Sequence, residues 1–362
     1  MKKDFSHIDP RTLINTGQIG LLDNTGTYDI NRYAWAYQAW KKQQQIHWLG
    51  EEIPLSEDLK DWTSDRLTAK ERNLLTQIFR FFTQSDIEVS DNYFKRYIPI
   101  FQPLEIQMMM AAFTNMETIH IDAYALLLKT LGMPQTEFSA FREYTAMTAK
   151  ADYMQSFGTN TCADVARTLA MFGAFTEGLS LFASFAMLMN FPRFNKMKGM
   201  GQVVSWSVRD ESLHCESMIK LYHEWAKETG CVTQSVKDDI IDVAQTIIQL
   251  EDKFIELAFS LGDVNGMTMA DMKNYIRYIC DWRLIQLHLS PLFGYFEKAG
   301  PGHKQLKDHP LPWLPLVLNG VEHANFFENR ATEYSKAATQ GEWHGDEGTW
   351  ARFEKYKRRS MA

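Results

Sequence analysis

Apolar side chains recur at alternating steps of three and four along most of this chain, the period with which an α-helix returns to one face. The pattern begins at Asn31 and predicts helices at about 31–46, 67–97, 103–131, 136–157, 161–190, 198–228, 234–261 and 268–288. Pro99, Pro134 and Pro192 fall at the breaks, where a residue lacking an N–H ends a helix. An apolar stretch after Pro315 predicts one helix more. Ahead of this pattern, "NTGQIGLLDNTGTYD" predicts an irregular leader over residues 1–29. Residues 30–335 then read as one helical domain, and residues 336–362, rich in Gly and charge with scattered aromatics, as a flexible tail.

Composition supports an all-α chain, because 11 Pro and 20 Gly in 362 residues fall below the usual roughly 5% and 7%. Such a length buries a large core. The net charge of −7 argues against a nucleic-acid partner. Cys162, Cys215, Cys231 and Cys280 form no Cys-x-x-Cys pair, and "MKKDFSHIDP" lacks the apolar core of a signal peptide, so a reduced, cytoplasmic protein is expected. Residues 170–191 are long and apolar enough to cross a membrane, but Glu177 at their centre would be costly there. A helix buried in a bundle is the better reading, with no membrane partner.

Acids interrupt three of the apolar stripes. Asp86 lies in the series Leu75, Phe79, Phe82, Asp86, Val89, Tyr93. Glu117 and His120 lie in Met110, Phe113, Glu117, His120, Tyr124, Leu127, and Glu211 and His214 in Val204, Val208, Glu211, His214, Met218, Leu221. Glu177 sits on a helix apolar nearly all round. The arrangement repeats, since one helix with an inward acid precedes each Glu-x-x-His, by 31 positions from Asp86 and by 34 from Glu177. Two helical pairs related by an approximate two-fold axis are implied.

Four carboxylates facing one core require compensation, because an unpaired buried charge costs at least several kcal/mol. The stripes offer no Lys or Arg. Two divalent cations would balance the four charges, with two neutral imidazoles completing their shells. Residues three apart on a helix share a face, so each Glu-x-x-His offers an oxygen and a nitrogen together. One such motif alone is common on solvated helix faces. Two, each on an apolar stripe and each preceded by a buried acid, match the ligand arrangement of dinuclear carboxylate bundles.

The segments "QSDIEVSDN", "METIHIDAY", "TEGLSLFASFA" and "SVRDESLH" resemble the radical-generating small subunit of class I ribonucleotide reductase, most closely the class Ia type, over about residues 30 to 335. That resemblance implies a ferritin-like bundle with additional helices around a four-helix dimetal core. It implies a dinuclear iron centre, or a dimanganese or mixed manganese/iron one, held by Asp86, Glu117, His120, Glu177, Glu211 and His214. It gives Tyr124 the role of a tyrosine oxidised to a stable radical after dioxygen or another oxidant reacts at the metals. Phe185, Leu181 and Ser207 match its pocket positions, with Ser207 standing where an aliphatic side chain is usual and Leu181 where an aromatic is common. Asp210, the candidate to orient an imidazole, would link His120 to Trp48 of "QQQIHWLGEEIPL" as an electron route, and Arg209 would neutralise nearby acids. Tyr356 is the candidate relay residue of the tail, although the terminal "KYKRRSMA" is basic where family tails are often acidic. The implied partners are the large (alpha) subunit that binds the ribonucleotide, a second copy in a homodimer, and a ferredoxin or flavoprotein activase. Other ferritin-like proteins with paired Glu-x-x-His, namely a desaturase, a ligand-binding oxidase or an iron-storage protein, are the alternatives.

Overall fold

Thr68 begins the first long helix of the bundle, accepting the Glu71 N–H while the Glu71 carboxylate accepts the Thr68 N–H, a capping box that satisfies two otherwise orphaned donors. The computed structural model describes residues 20–24, 32–297 and 304–318, without the side chains of residues 83, 84 and 142. In chain order the helices are α1 (Ala34–Gln45), α2 (Ser56–Thr63), α3 (Ala69–Asn92), α4 (Leu104–Thr130), α5 (Thr145–Gln155), α6 (Cys162–Leu169), α7 (Leu181–Met189), α8 (Lys198–Thr229), α9 (Gln234–Ala258) and α10 (Met269–Gln286). Two stretches have π-helical geometry, Tyr93–Tyr97 after α3 and Ala170–Ser180, which joins α6 to α7 in one rod. Among the described residues the only β structure is two isolated bridges.

The α3–α4 pair and the pair formed by the rod and α8 make the four-helix core. Helix α1 packs along α4, α9 and α10 cover the back of the rod, and α5 lies on α9. The described helices belong to one compact unit, which ends at Val317. Of the expected leader only residues 20–24 are described, with a 3-10 turn at Gly20–Leu22. The tail 336–362, Tyr356 included, lies outside the described residues.

Three departures from the sequence pattern have local causes. Residues 136–157 form one helix only from Thr145; before it come 3-10 turns at Gln135–Phe138 and Ala140–Glu143. Arg80 of α3 reaches Glu137 at 2.5 Å and the Tyr144 hydroxyl at 2.5 Å, and these tertiary bonds fix the turns against helix propensity. Helix α2 is missing from the periodicity reading because eight residues are too few to show a period. Its buried Asp58 and Asp61 accept the N–H groups of Met197, Gly199 and Met200, all at 2.8 Å, and so cap the start of α8. The third departure is the rod, where wider π turns replace α geometry around Glu177.

The rod is also the apolar segment that could pass for a membrane span. Its most apolar window has a mean hydropathy of 1.4 and is 94% buried by neighbouring helices, so it is a core helix. Behind it, Lys150 of α5 and Glu251 of α9 form an entirely buried ion pair at 2.5 Å. Ser180, at the end of the π stretch, donates to the same Glu251 oxygen at 2.6 Å. Burial lowers the pKa of Lys150, and the Glu251 charge opposes that shift.

Candidate metal centre

Asp86 comes from α3, Glu117 and His120 from α4, Glu177 from the π stretch of the rod, and Glu211 and His214 from α8. All six are buried, none more than 3% exposed. Single ligand atoms of Glu117, Glu177, Glu211 and His214 lie within 4.8 Å of one another. His120 Nδ1 adjoins this group, 3.5 Å from Glu117 Oε2 and 3.3 Å from Glu211 Oε1. His214 Nδ1 is 3.1 Å from Glu117 Oε1 and 3.5 Å from Glu211 Oε2. Glu117 and Glu211 thus each face both imidazoles. Asp86 stands at the edge, where Ser85 Oγ donates to it at 3.2 Å.

Electrostatics tie the six together. Burial pushes the Asp86 and Glu177 carboxyls well above the usual range, and the charges of Glu117 and Glu211 add to that in both. Burial would raise Glu117 too, but His120 and His214 outweigh it and hold the carboxyl down at about 2. For His214 burial favours the neutral ring, yet contacts with Glu117 and Glu211 prevail and raise its pKa to about 10. His120 is raised for the same reason, with Asp210 contributing most against burial. Without a metal, protons on the imidazoles supply the positive charge that the carboxylates require.

Both oxygens of Glu117 and of Glu211, Oε2 of Glu177, Oδ2 of Asp86 and Nδ1 of His214 are buried without a hydrogen-bond partner. Buried polar atoms are nearly always paired, so carboxylate oxygens converging from four helices, with only two imidazole nitrogens between them, fit cations. This oxygen-rich donor set with two nitrogens fits a dinuclear metal site.

Each imidazole turns its other nitrogen outward. His120 Nε2 lies 3.2 Å from Asp210 Oδ2, and the Trp48 indole N–H donates to that same oxygen at 2.7 Å. His214 Nε2 lies 3.2 Å from Gln43 Oε1, whose amide nitrogen donates to Asp210 Oδ1 at 3.1 Å. Outward bonds of this kind fix which nitrogen faces the metal, here Nδ1 in both rings. Arg209 has its Nε 3.8 Å from Asp210 Oδ1 and donates to the Ile46 carbonyl at 2.6 Å.

Tyr124, 4% exposed, donates through its hydroxyl to Ser207 Oγ at 3.4 Å, and Ser207 donates on to the Val203 carbonyl at 3.0 Å. Its ring lies 4.7 Å from that of Phe82, which in turn meets Phe185 at 5.7 Å. Burial raises the phenol pKa, and the Asp86 charge adds to this. Leu181 is buried on the same rod as Phe185.

Sequence reasoning missed Gln43 and the site role of Tyr93. Gln43 continues the buried face of α1 after Ala36 and Ala39, at the steps that marked the other stripes. Tyr93 was visible on its stripe, but its hydrogen bond to Glu177, 2.7 Å, joins two distant segments.

Known proteins resemble this chain along most of its length. Residues 28–299 match the family described as "Ribonucleotide reductase, small chain". A "Probable ribonucleoside-diphosphate reductase small subunit 376L" of Invertebrate iridescent virus 6 is 36% identical, over 90% of this chain and 98% of its own. Among solved structures, a ribonucleotide reductase R2 subunit from Clostridium botulinum superposes with a TM-score of 0.72 at 21% identity, over 82% of this chain and 92% of its own. A "dimanganese(II)-NrdF" from Streptococcus sanguinis does so with a TM-score of 0.63 at 21% identity, over 74% and 93%. With an extended family match, a relative this similar over nearly its full length and a buried site that fits two metals, the chain belongs to the ribonucleotide reductase small-chain family.

Proposed function

We propose that Asp86, Glu117, His120, Glu177, Glu211 and His214 hold two metal ions, and that Tyr124 is the residue oxidised to a radical for delivery to a large subunit that reduces ribonucleoside diphosphates. The observation that carries this reading is the set of buried, unpartnered carboxylate oxygens converging from four helices. When bound, the metal pair supplies redox equivalents that, with dioxygen or another oxidant, oxidise a tyrosine. Iron is the first candidate, and dimanganese or mixed manganese/iron centres use the same ligand types. The similar dimanganese(II)-NrdF of Streptococcus sanguinis makes the manganese form a direct comparison.

The protein's own groups do the rest. Glu117 and Glu211 each face both imidazoles, so either could serve as a ligand beside His120 or beside His214. Phe82 packs against the Tyr124 ring, with Phe185 behind it, and burial raises the phenol pKa further above neutral pH. The contact of 3.4 Å to Ser207 is long, so the hydroxyl makes only a weak hydrogen bond there. Trp48 reaches His120 through one carboxylate, Asp210, which gives electrons a bonded path toward the surface segment after α1. Tyr356, with the rest of the tail, is the proposed relay to the large subunit, and a homodimer and a ferredoxin or flavoprotein activase complete the proposed assembly. The desaturase, oxidase and storage alternatives are not favoured, since none accounts for the small-chain family match.

Anaerobic loading with Fe(II) or Mn(II), followed by air and an activase where manganese is used, tests the assignment by electron paramagnetic resonance and optical absorption. Wild type is expected to bind two metals per chain and to develop a tyrosine radical, and Tyr124→Phe to bind both metals without that signal. A wild type that forms no radical under either protocol, or an unchanged radical in Tyr124→Phe, would sink the reading.

A further inference from the structure

Among the described residues, two hydroxyls donate to the six site residues: Ser85 to Asp86 and Tyr93 to Glu177. Tyr93 lies seven residues after Asp86 on the same inward stripe. One stripe thereby supplies a carboxylate to one half of the site and a hydrogen-bond donor to the other. Both ends of the Tyr93 bond rest on π geometry. Tyr93 opens the Tyr93–Tyr97 turn, closed by the Ile98 N–H on the Tyr93 carbonyl at 3.0 Å, and Glu177 lies within Ala170–Ser180. A π turn adds a residue to the helical circuit and is frequent at functional sites.

The phenol has no access to water. It is 1% exposed, with the rings of Tyr97 and Phe113 at 6.1 Å and His214 at 6.4 Å, all edge-on. Within that enclosure Glu177 Oε1 accepts its proton at 2.7 Å, while Glu177 Oε2 has no partner. A buried carboxylate on an otherwise apolar rod would be free to rotate about its last bond. The phenol removes that freedom by occupying one oxygen.

We propose that Tyr93 is a positioning residue for the second metal: its hydroxyl holds Oε1 of Glu177 and so commits Oε2 to the cation shared with Glu211 and His214. This rests on the ligand assignment proposed above. It predicts that the two metal positions differ in how they depend on one oxygen atom of α3's extension.

The test is anaerobic Mn(II) titration of the full chain, followed by electron paramagnetic resonance, which separates an isolated bound ion from a spin-coupled pair. Wild type should bind two Mn(II) per chain and give the coupled signal. In Tyr93→Phe the ring remains, the first Mn(II) should bind as in wild type, and the second should bind about 10- to 100-fold more weakly, the usual effect of removing an outer-shell partner. The signal at one Mn(II) per chain should then be that of an isolated ion. Tyr97→Phe, which removes the neighbouring phenol, should keep both ions. Installing 4-aminophenylalanine at position 93 restores an N–H donor and should recover the second ion, which separates a positioning role from a packing one. Unchanged affinities in Tyr93→Phe, a parallel loss of both ions, or failure of the amino analogue to recover the second would overturn the proposal. A wild type that binds no pair would overturn the ligand assignment, and the Tyr93 role with it.

Discussion

The half of the site around Asp86 and His120 and the half around Glu177 and His214 use the same residue types, yet they are held by different means. Asp86 projects from regular α-helix and meets the small hydroxyl of Ser85, whereas Glu177 projects from a π stretch and is pinned by a phenol. His120 leans on a carboxylate that also accepts from Trp48, while His214 leans on the neutral amide of Gln43. The residue proposed to carry the radical stands on one side only: Tyr124 feels the Asp86 charge, next after burial itself. The duplicated ligand set proposed here would therefore become a directional site through its outer partners, because identical donors acquire different basicity and freedom from what stands behind them.

The largest effect expected from breaking this arrangement comes at the shared acids. Glu211→Ala should lose both metals, since Glu211 faces both imidazoles, whereas Glu177→Ala should lose one per chain. Elemental analysis after anaerobic loading distinguishes the two, and unchanged content in Glu177→Ala would remove that residue from the ligand set. Next come the outer partners. Asp210→Asn should weaken the His120 position toward the 100-fold end of the outer-shell range and Gln43→Leu the His214 position by about tenfold, both read by Mn(II) titration. Equal effects at both positions would mean that Gln43 and Asp210 act as one unit.

A pH dependence accompanies these effects, and its sign follows from His214. Its folded pKa is raised to about 10 against an ordinary 6.5, so its ion pairs stabilise the metal-free fold fully below pH 6.5 and are lost as pH climbs toward 10. The thermal midpoint of the metal-free protein should fall over that window. Metal affinity should move the opposite way, rising by about tenfold per pH unit for each proton displaced. Melting curves and Mn(II) titrations between pH 6.5 and 8.5 check both signs.

Much of this was legible in the chain because helical periodicity is a local property. The stripes containing Asp86, Glu117, His120, Glu211 and His214 already turn those side chains inward, and the charge of four buried acids already requires cations. Tertiary contacts decided the rest. Arg80 broke the helix expected from 136, a result no window of sequence contains. The π geometry at Glu177 arises on a segment whose composition reads as plain α-helix, and Ser180, Glu251 and Lys150 meet there from three separate elements.

By itself the sequence determined which residues face the core and what charge they bring there, since spacing fixes the face and side-chain chemistry fixes the charge. Only the tertiary structure decided that Gln43 stands behind His214 and that Tyr93 reaches Glu177 across 84 positions, and it supplied the distances of the expected link from Trp48 through Asp210 to His120. Such pairings depend on how whole helices dock, and a hydrogen bond about 3 Å long is met or missed by shifts far smaller than one residue of helical register.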